Sequence, residues 1–263
     1  MQVVIITGSR KGTASWCLEQ ILSKTEVKVA LVILNEGHIR NKWKHYQRKL
    51  RKTLRIGIMG ALNGVRMRKW YSLADSDHIL LNDIGSICEK ENIPFSVVSS
   101  VNSNAVKQLL KSLTPDLCLS LGNSYISPGI FSIPRYGMLN IHGEVLPQFQ
   151  NAQSVIWQLY EGSTETGYTI HKIDRKIDTG DILLQEKFPI IFHDRLDETV
   201  SATCAEILRR AAEGLVKVLN NFEDYYQRAY PQGEGRSYTT PGFREYIAIR
   251  RNFKRLRKQV HLS

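Results

Sequence analysis

An asparagine, a histidine and an aspartate in the middle of this chain have the types and spacing that acyl chemistry requires. The run Met138-Leu139-Asn140-Ile141-His142 ends a predicted strand with Asn140 and His142 two residues apart. Alternate side chains of a strand point to one face, so the amide and the imidazole project together. They do so at the carboxyl end of a strand, where open α/β sheets bind ligands. Forming an amide at a carbonyl of the formate oxidation level needs three groups. A donor meets the developing oxyanion, a base takes the amine proton, and a charge tunes the base. Taken alone, an Asn-x-His pair is a weak signal, because most such pairs are structural or surface residues.

Those side chains need a sheet to hold them. Gln2–Ile6 reads as a short β-rich run stopped by Gly8-Ser9, followed by helical spacing over Ala14–Leu22 and a buried strand over Val27–Leu34. The pattern continues with a helix over Ile79–Glu91, a strand at Phe95–Val98, a helix at Asn104–Leu113 and a strand at Asp116–Leu121. Near-continuous apolar strands alternating with amphipathic helices predict an α/β fold, an open, doubly wound, mostly parallel sheet covered on both faces. Further on, Gly137–Ile141, Tyr168–Ile173 and Ile182–Ile190 read as strands and Ser154–Tyr160 as a short helix. A long helix runs from Asp197 to about Tyr225. Gly233, Gly235, Pro241 and Gly242 then break the chain into turns. The expected division is a catalytic domain at 1–225, carrying a basic helical insertion at 38–70, and a short basic C-terminal tail at 226–263.

Bulk properties bound the reading. At 263 residues the chain suits one main domain with an appendage, given a usual domain size of roughly 100–200 residues. With 42% hydrophobic residues it can bury a sizeable core, so disorder is not expected. Met1 leads straight into Val3–Ile6 without a basic leader, and no apolar run approaches the ~20 residues of a membrane span. Cys17, Cys88, Cys118 and Cys204 lack metal-ligand spacing and read as core hydrophobes of a reducing compartment. The expectation is a cytoplasmic protein with no metal, peripheral to a membrane at most.

The net charge of +11 is unevenly placed. No acid falls between Glu36 and Asp75, where eleven Lys and Arg occur, and Arg244–Lys258 holds seven more against Glu245. Such runs attract phosphates, nucleic acid or anionic membranes, or form a solvated face. Within the first run Trp43, Tyr46, Leu50, Leu54, Ile58, Leu62 and Val65 recur every three or four residues, largely surrounded by Lys42, Lys44, Arg48, Lys49, Arg51 and Lys52. This is one helical face, either covering the sheet or a homodimer contact, or lying on anionic lipid. Gly57, Gly60 and Gly64 predict a break or a close packing contact in its second half.

The context of Asn140 and His142 is more specific than the pair. Gly143-Glu144-Val145-Leu146-Pro147 follows, then Thr166-Gly167-Tyr168-Thr169-Ile170-His171, then Asp174 and Asp178-Thr179-Gly180. Asp178 lies 36 positions after His142 and 7 after His171. This ordered set resembles the folate-dependent formyltransferase family, which includes methionyl-tRNA, glycinamide ribonucleotide and sugar-nucleotide N-formyltransferases. The likeness is close over about Asp116 to Pro189 and looser elsewhere.

The resemblance implies a Rossmann-like fold, 10-formyltetrahydrofolate as co-substrate and a small-molecule amine acceptor, an amino-sugar nucleotide or a phosphate-linked amine. It implies that Asn140 and His142 hold the formyl oxygen, while Asp178 pairs with His142 and relays the amine proton through water. It also implies a pterin against the backbone of the stretch Asn123-Ser124-Tyr125-Ile126 and beside Asp174 and Asp178. His171 reads equally as a satisfied buried histidine, and Asp178-Thr179-Gly180 alone would read as an ordinary turn. Glu144 and Gln150 differ from the small and Arg/Gly residues common in relatives, and are expected on the acceptor side. Gly8 and Ser9 could cradle an acceptor phosphate at a helix N-terminus or form a plain turn. These departures argue against glycinamide ribonucleotide and tRNA as acceptors. Hydrolysis of formyl-folate, or a basic protein that binds membrane or nucleic acid on the same fold, are the competing functions.

Overall fold

The computed structural model describes residues 1–37, 42–75, 77–123 and 125–262. Strands β1 (Gln2–Thr7), β2 (Lys28–Asn35), β3 (Phe95–Val98), β4 (Leu117–Leu121), β5 (Met138–His142), β6 (Glu165–Lys172) and β7 (Ile182–Pro189) form one sheet in the order 3-2-1-4-5-6-7. The first five are parallel, and β6 and β7 run antiparallel. The helices are α1 (Thr13–Lys24), α2 (Lys42–Arg68), α3 (Ile84–Lys90), α4 (Asn104–Leu113) and α5 (Pro128–Phe131), then α6 (Ile156–Glu161), α7 (Leu196–Asn220), α8 (Phe222–Gln227) and α9 (Phe243–Leu262).

The period of two along β1 explains the double covering. Val3 and Ile5 enter one apolar layer with α1 and α7, while Val4 and Ile6 enter the other with α4. In β5, Leu139 joins the first layer and Met138 the second. Asn140 and His142 therefore share the Met138 face. The expected open, mostly parallel α/β sheet is the observed one. The chain reverses its winding between β1 and β4, and their carboxyl-end loops touch there. A Cβ added to Gly8 would sit 3.0 Å from the Gly122 carbonyl oxygen, so Gly8 permits a close approach of backbone at the switch point.

Three expectations change. The helix expected over Ile79–Glu91 forms only as α3, because the Asp83 carboxylate accepts the N–H groups of Gly85 and Ser86 and starts the helix there. Ile79 and Leu80 suggested an earlier start, but Ile79 is buried with Leu81 against Ala205 and Leu208 in an irregular segment and Leu80 is exposed. The long C-terminal helix divides at Asn221 into α7 and α8. The stretch 226–263, expected to be a tail outside the core, instead carries α9, whose Tyr246, Ile249, Phe253 and Leu256 are buried in the main apolar layer.

The basic insertion is a helix as expected, although His38 to Asn41 lie outside the described residues. It breaks at Gly57, whose φ of 74° is left-handed. Beyond the break Gly60 and Gly64 lie close to Gly242 and Thr240. The apolar stripe covers neither the sheet nor any other described part of the chain. Trp43, Leu54, Ile58 and Val65 are 68%, 76%, 74% and 61% exposed.

Candidate active site

Antiparallel pairing of β5 with β6 sets His171 directly opposite Asn140, and Thr169 opposite His142. The His171 imidazole is buried, and its Nδ1 lies 2.8 Å from the Lys172 carbonyl oxygen. A carbonyl only accepts, so Nδ1 carries a proton. Burial is the largest influence on this ring and holds its pKa below the ordinary range, against the opposing pull of the Asp178 charge. A neutral ring protonated at Nδ1 leaves Nε2 bare, so Nε2 must accept from the Asn140 Nδ2, 3.1 Å away. The amide of Asn140 is thereby fixed in one orientation. Sequence reasoning left His171 open; its place here is to position Asn140.

Asp178 sits between the two imidazoles. Its Oδ1 is 3.7 Å from His171 Nε2 and its Oδ2 3.6 Å from His142 Nδ1. The Oδ2 also accepts the Asn151 backbone N–H at 3.0 Å. The opposite nitrogen of His142, Nε2, donates to the Phe149 carbonyl at 2.8 Å, which aims Nδ1 at the carboxylate. A proton on Nδ1 therefore makes His142 and Asp178 an ion pair that only about an eighth of each side chain exposes to solvent.

The loop that carries Asp178 is held from within. The Asp174 carboxylate accepts from the Thr179 hydroxyl at 2.7 Å and from the Lys176 N–H at 3.0 Å. Asp178 itself takes φ 55°, a left-handed conformation that aspartate tolerates better than most residues.

A cavity of about 210 Å³ opens beside these groups. It is lined by Asn140, His171, Asp178, Asp174, Tyr125 and Ile126, with Ser120, Asn123, Asn151, Ile173, Lys176 and Ile177. Of the residues expected to meet a pterin, Tyr125, Ile126, Asp174 and Asp178 lie here, and Ser124 lies outside the described residues. Asn123, which opens the expected pterin stretch, lies here too, and sequence reasoning missed Ser120. Asn123 donates to Ser120 Oγ at 3.2 Å, while its Oδ1 is buried with no hydrogen-bond partner among the described residues.

The expected acceptor-side residues do not gather at this cavity. The backbone of Gln150 is spliced to 236–238, with its N–H on the Arg236 carbonyl and its carbonyl on the Tyr238 N–H. Ser9 turns back on its own loop, Oγ donating to the Lys11 carbonyl at 2.6 Å. Glu144, expected to face the acceptor, is instead fully buried beneath the β5 end. Neither of its carboxylate oxygens meets hydrogen-bond geometry with a partner among the described residues.

A model of the formyl transferase family matches residues 1–219 of this sequence. The chain belongs to that family. It is similar to the methionyl-tRNA formyltransferase of Ehrlichia canis, 34% identical over 139 residues, which cover 52% of this chain and 45% of that protein. The chain thus spans less than half the length of that relative. The fold is also that of the phosphoribosylglycinamide formyltransferase of Anaplasma phagocytophilum (TM-score 0.58, 16% identity, 90% of this chain and 99% of the other). It is likewise that of an N-formyltransferase from Helicobacter canadensis, solved with folinic acid and dTDP-3-aminofucose (TM-score 0.58, 17% identity, 96% and 80% covered).

Two earlier expectations change for this family member. Excluding tRNA finds no support, because several curated relatives are methionyl-tRNA formyltransferases. Glu144 loses its part in that exclusion, since it is not at the surface. Burial pushes the Glu144 carboxyl well above the carboxylate range. Ser154 and the Val155 N–H lie near enough to oppose the shift, but neither reaches hydrogen-bond geometry with it, and the Ser154 hydroxyl donates instead to the Gly143 carbonyl. A group raised in the folded state keeps its proton there while the unfolded chain releases it above about pH 4.5. Stability is then fully present below that pH and falls as pH rises, by about 1.4 kcal/mol per pH unit, until the folded group ionises. Glu144→Gln, which mimics the protonated acid, should raise the melting temperature at pH 8 and change it little at pH 4. Parallel melting curves of the two proteins across that range would contradict this assignment.

Proposed function

We propose that this chain is an N-formyltransferase that moves a formyl group from 10-formyltetrahydrofolate to an amine of a small, phosphate-bearing acceptor. The observation that carries the reading is the fixed amide of Asn140 beside the Asp178 carboxylate at one cavity wall. The cavity suits a flat heterocycle that hydrogen-bonds at its edge. Asn123 Oδ1 is an acceptor in want of a donor, and Ile126, Ile173 and Ile177 supply apolar walls. Tyr125, Ile126, Asp174 and Asp178 would hold the pterin. The bound folate supplies a carbonyl carbon at the formate oxidation level.

In this reading Asn140 donates an amide N–H to the formyl oxygen, where negative charge gathers, and His171 keeps that donor aimed. Such preorganised donors are worth more in a water-poor site than in bulk solvent. Asp178 takes the amine proton through water and passes it to the folate nitrogen as the formyl carbon leaves it. His142 does not line the cavity, and it has Nε2 on the Phe149 carbonyl and Nδ1 towards Asp178. In this geometry it acts by holding the Asp178 carboxylate rather than as the second donor expected at the formyl oxygen.

The test is incubation with 10-formyltetrahydrofolate and three acceptors: an amino-sugar nucleotide, glycinamide ribonucleotide and charged initiator tRNA. Folate absorbance and product mass are the readouts. We expect the amino-sugar nucleotide to be formylated fastest. Efficient formylation of glycinamide ribonucleotide would replace the amino-sugar reading, and efficient formylation of charged tRNA would replace the small-acceptor reading. Release of formate at an equal rate without any amine would assign a hydrolase instead.

A further inference from the structure

An unpartnered run of exposed apolar side chains lies on α2, and its chemistry selects a partner. Thr53, Ile56, Gly60, Gly64 and Met67 are partly or fully covered and recur at helical spacing, with Ala61 and Asn63 partly covered beside them. An added Cβ on Gly60 or Gly64 would lie 3.2 Å from Gly242 Cα or 3.0 Å from Thr240 Cγ2, so this edge is fastened to the body. Ile58 and Leu62 are each two residues from Gly60, about 200° around the helix. Ile58 and Leu62 thus face away from the protein, and before the break at Gly57 Trp43, Tyr46, Leu50 and Leu54 are exposed as well, the six ranging from 48% to 76%. At its start the Trp43 and Tyr46 rings stack with centroids 6.3 Å apart, exposed to solvent.

The charge around the stripe has one sign. No acid occurs between Glu36 and Asp75. Among the described residues no carboxylate pairs with a cation of α2. Cations crowd one another there, and partial burial, Arg68 and Arg55 together hold the Lys52 ammonium below its ordinary range. A second copy of the same face would bring cation to cation. Nucleic acid would answer the charge but leave the apolar stripe uncovered. A bilayer with anionic headgroups answers both, and its planar shape reaches a helix that is anchored along its opposite edge.

We propose that α2 is a docking helix for an anionic membrane surface, burying Trp43, Tyr46, Leu50, Leu54, Ile58 and Leu62 at the headgroup boundary. The docked face is tied to the cavity. Arg55 donates to Thr239 Oγ1 at 3.2 Å, and Thr239 accepts from Trp157 Nε1 at 3.0 Å. Tyr238 accepts from Asn151 Nδ2, and Asn151 holds Asp178. Docking therefore fixes the orientation of the cavity mouth relative to the bilayer. The proposal does not depend on which amine is formylated.

Flotation of the full chain with phosphatidylcholine vesicles, with or without phosphatidylglycerol, tests it. The protein should float only with phosphatidylglycerol, and added salt should release it. Leu54→Glu/Ile58→Glu and, separately, Arg51→Glu/Lys52→Glu should each weaken binding at least tenfold without moving the melting temperature, since all four side chains are exposed. As a measurement independent of those variants, the blue shift of tryptophan emission on vesicle addition should vanish in Trp43→Phe. Failure to float with phosphatidylglycerol at low salt overturns the proposal. So does a salt-stable dimer in sedimentation that Leu54→Glu dissociates, or RNA binding that survives Leu54→Glu while vesicles are ignored.

Discussion

Replacing His142 by alanine should lower turnover by ~10²–10⁴-fold, the scale that general-base and oxyanion groups carry. Asn140→Ala and Asp178→Ala should fall in the same range. Equal losses in kcat and kcat/KM would mark interactions made in the transition state rather than in substrate binding. His171→Ala should cost less, because Asn140 would keep its donor and lose only its orientation. The fold should survive these changes, since no residue of the trio belongs to the apolar layers. Equal melting temperatures establish that directly. Near-normal turnover of His142→Ala would sink the proposed chemistry.

Much of this arrangement was legible because it is local. The two-residue spacing of Asn140 and His142 carries one face of β5, and strand periodicity alone predicts that. The apolar strands and the spacing of α4 sufficed to predict a doubly wound sheet. What sequence spacing could not express was contact across the fold. His171 locks Asn140 only because β6 returns antiparallel and sets the two in register. Ser120 reaches the cavity from within β4, and its signal in the sequence was only a small polar residue inside an apolar strand. Glu144 was misplaced for the opposite reason. A charged residue in a loop is ordinarily exposed, and nothing before the fold showed that this one is fully buried. The C-terminal stretch misled through its turn-formers, which precede α9 rather than replace it.

Gly180→Ala should disable the site from a position that touches no substrate. A Cβ there would stand 1.9 Å from the Lys172 carbonyl oxygen and 2.7 Å from its carbon, and backbone cannot swing aside as a flexible side chain does. Either the 174–181 loop or the end of β6 must shift. Both movements reach the chemistry. The loop carries Asp178, and the Lys172 carbonyl is the acceptor that fixes the proton on His171 Nδ1 and, through it, the amide of Asn140. Overpacking of this kind costs about 1–3 kcal/mol of stability. Displacing a catalytic group by about 1 Å costs on the order of 10²-fold in rate. The variant should therefore be destabilised in urea by that amount and lose ~10²-fold in turnover even where it remains fully folded. Gly129→Ala is the control, because nothing lies within 4 Å of its added Cβ, and both quantities should stay near the parent's. Parent-like turnover in folded Gly180→Ala would show that the chemistry does not need the Lys172 carbonyl, His171 and Asp178 held in this register.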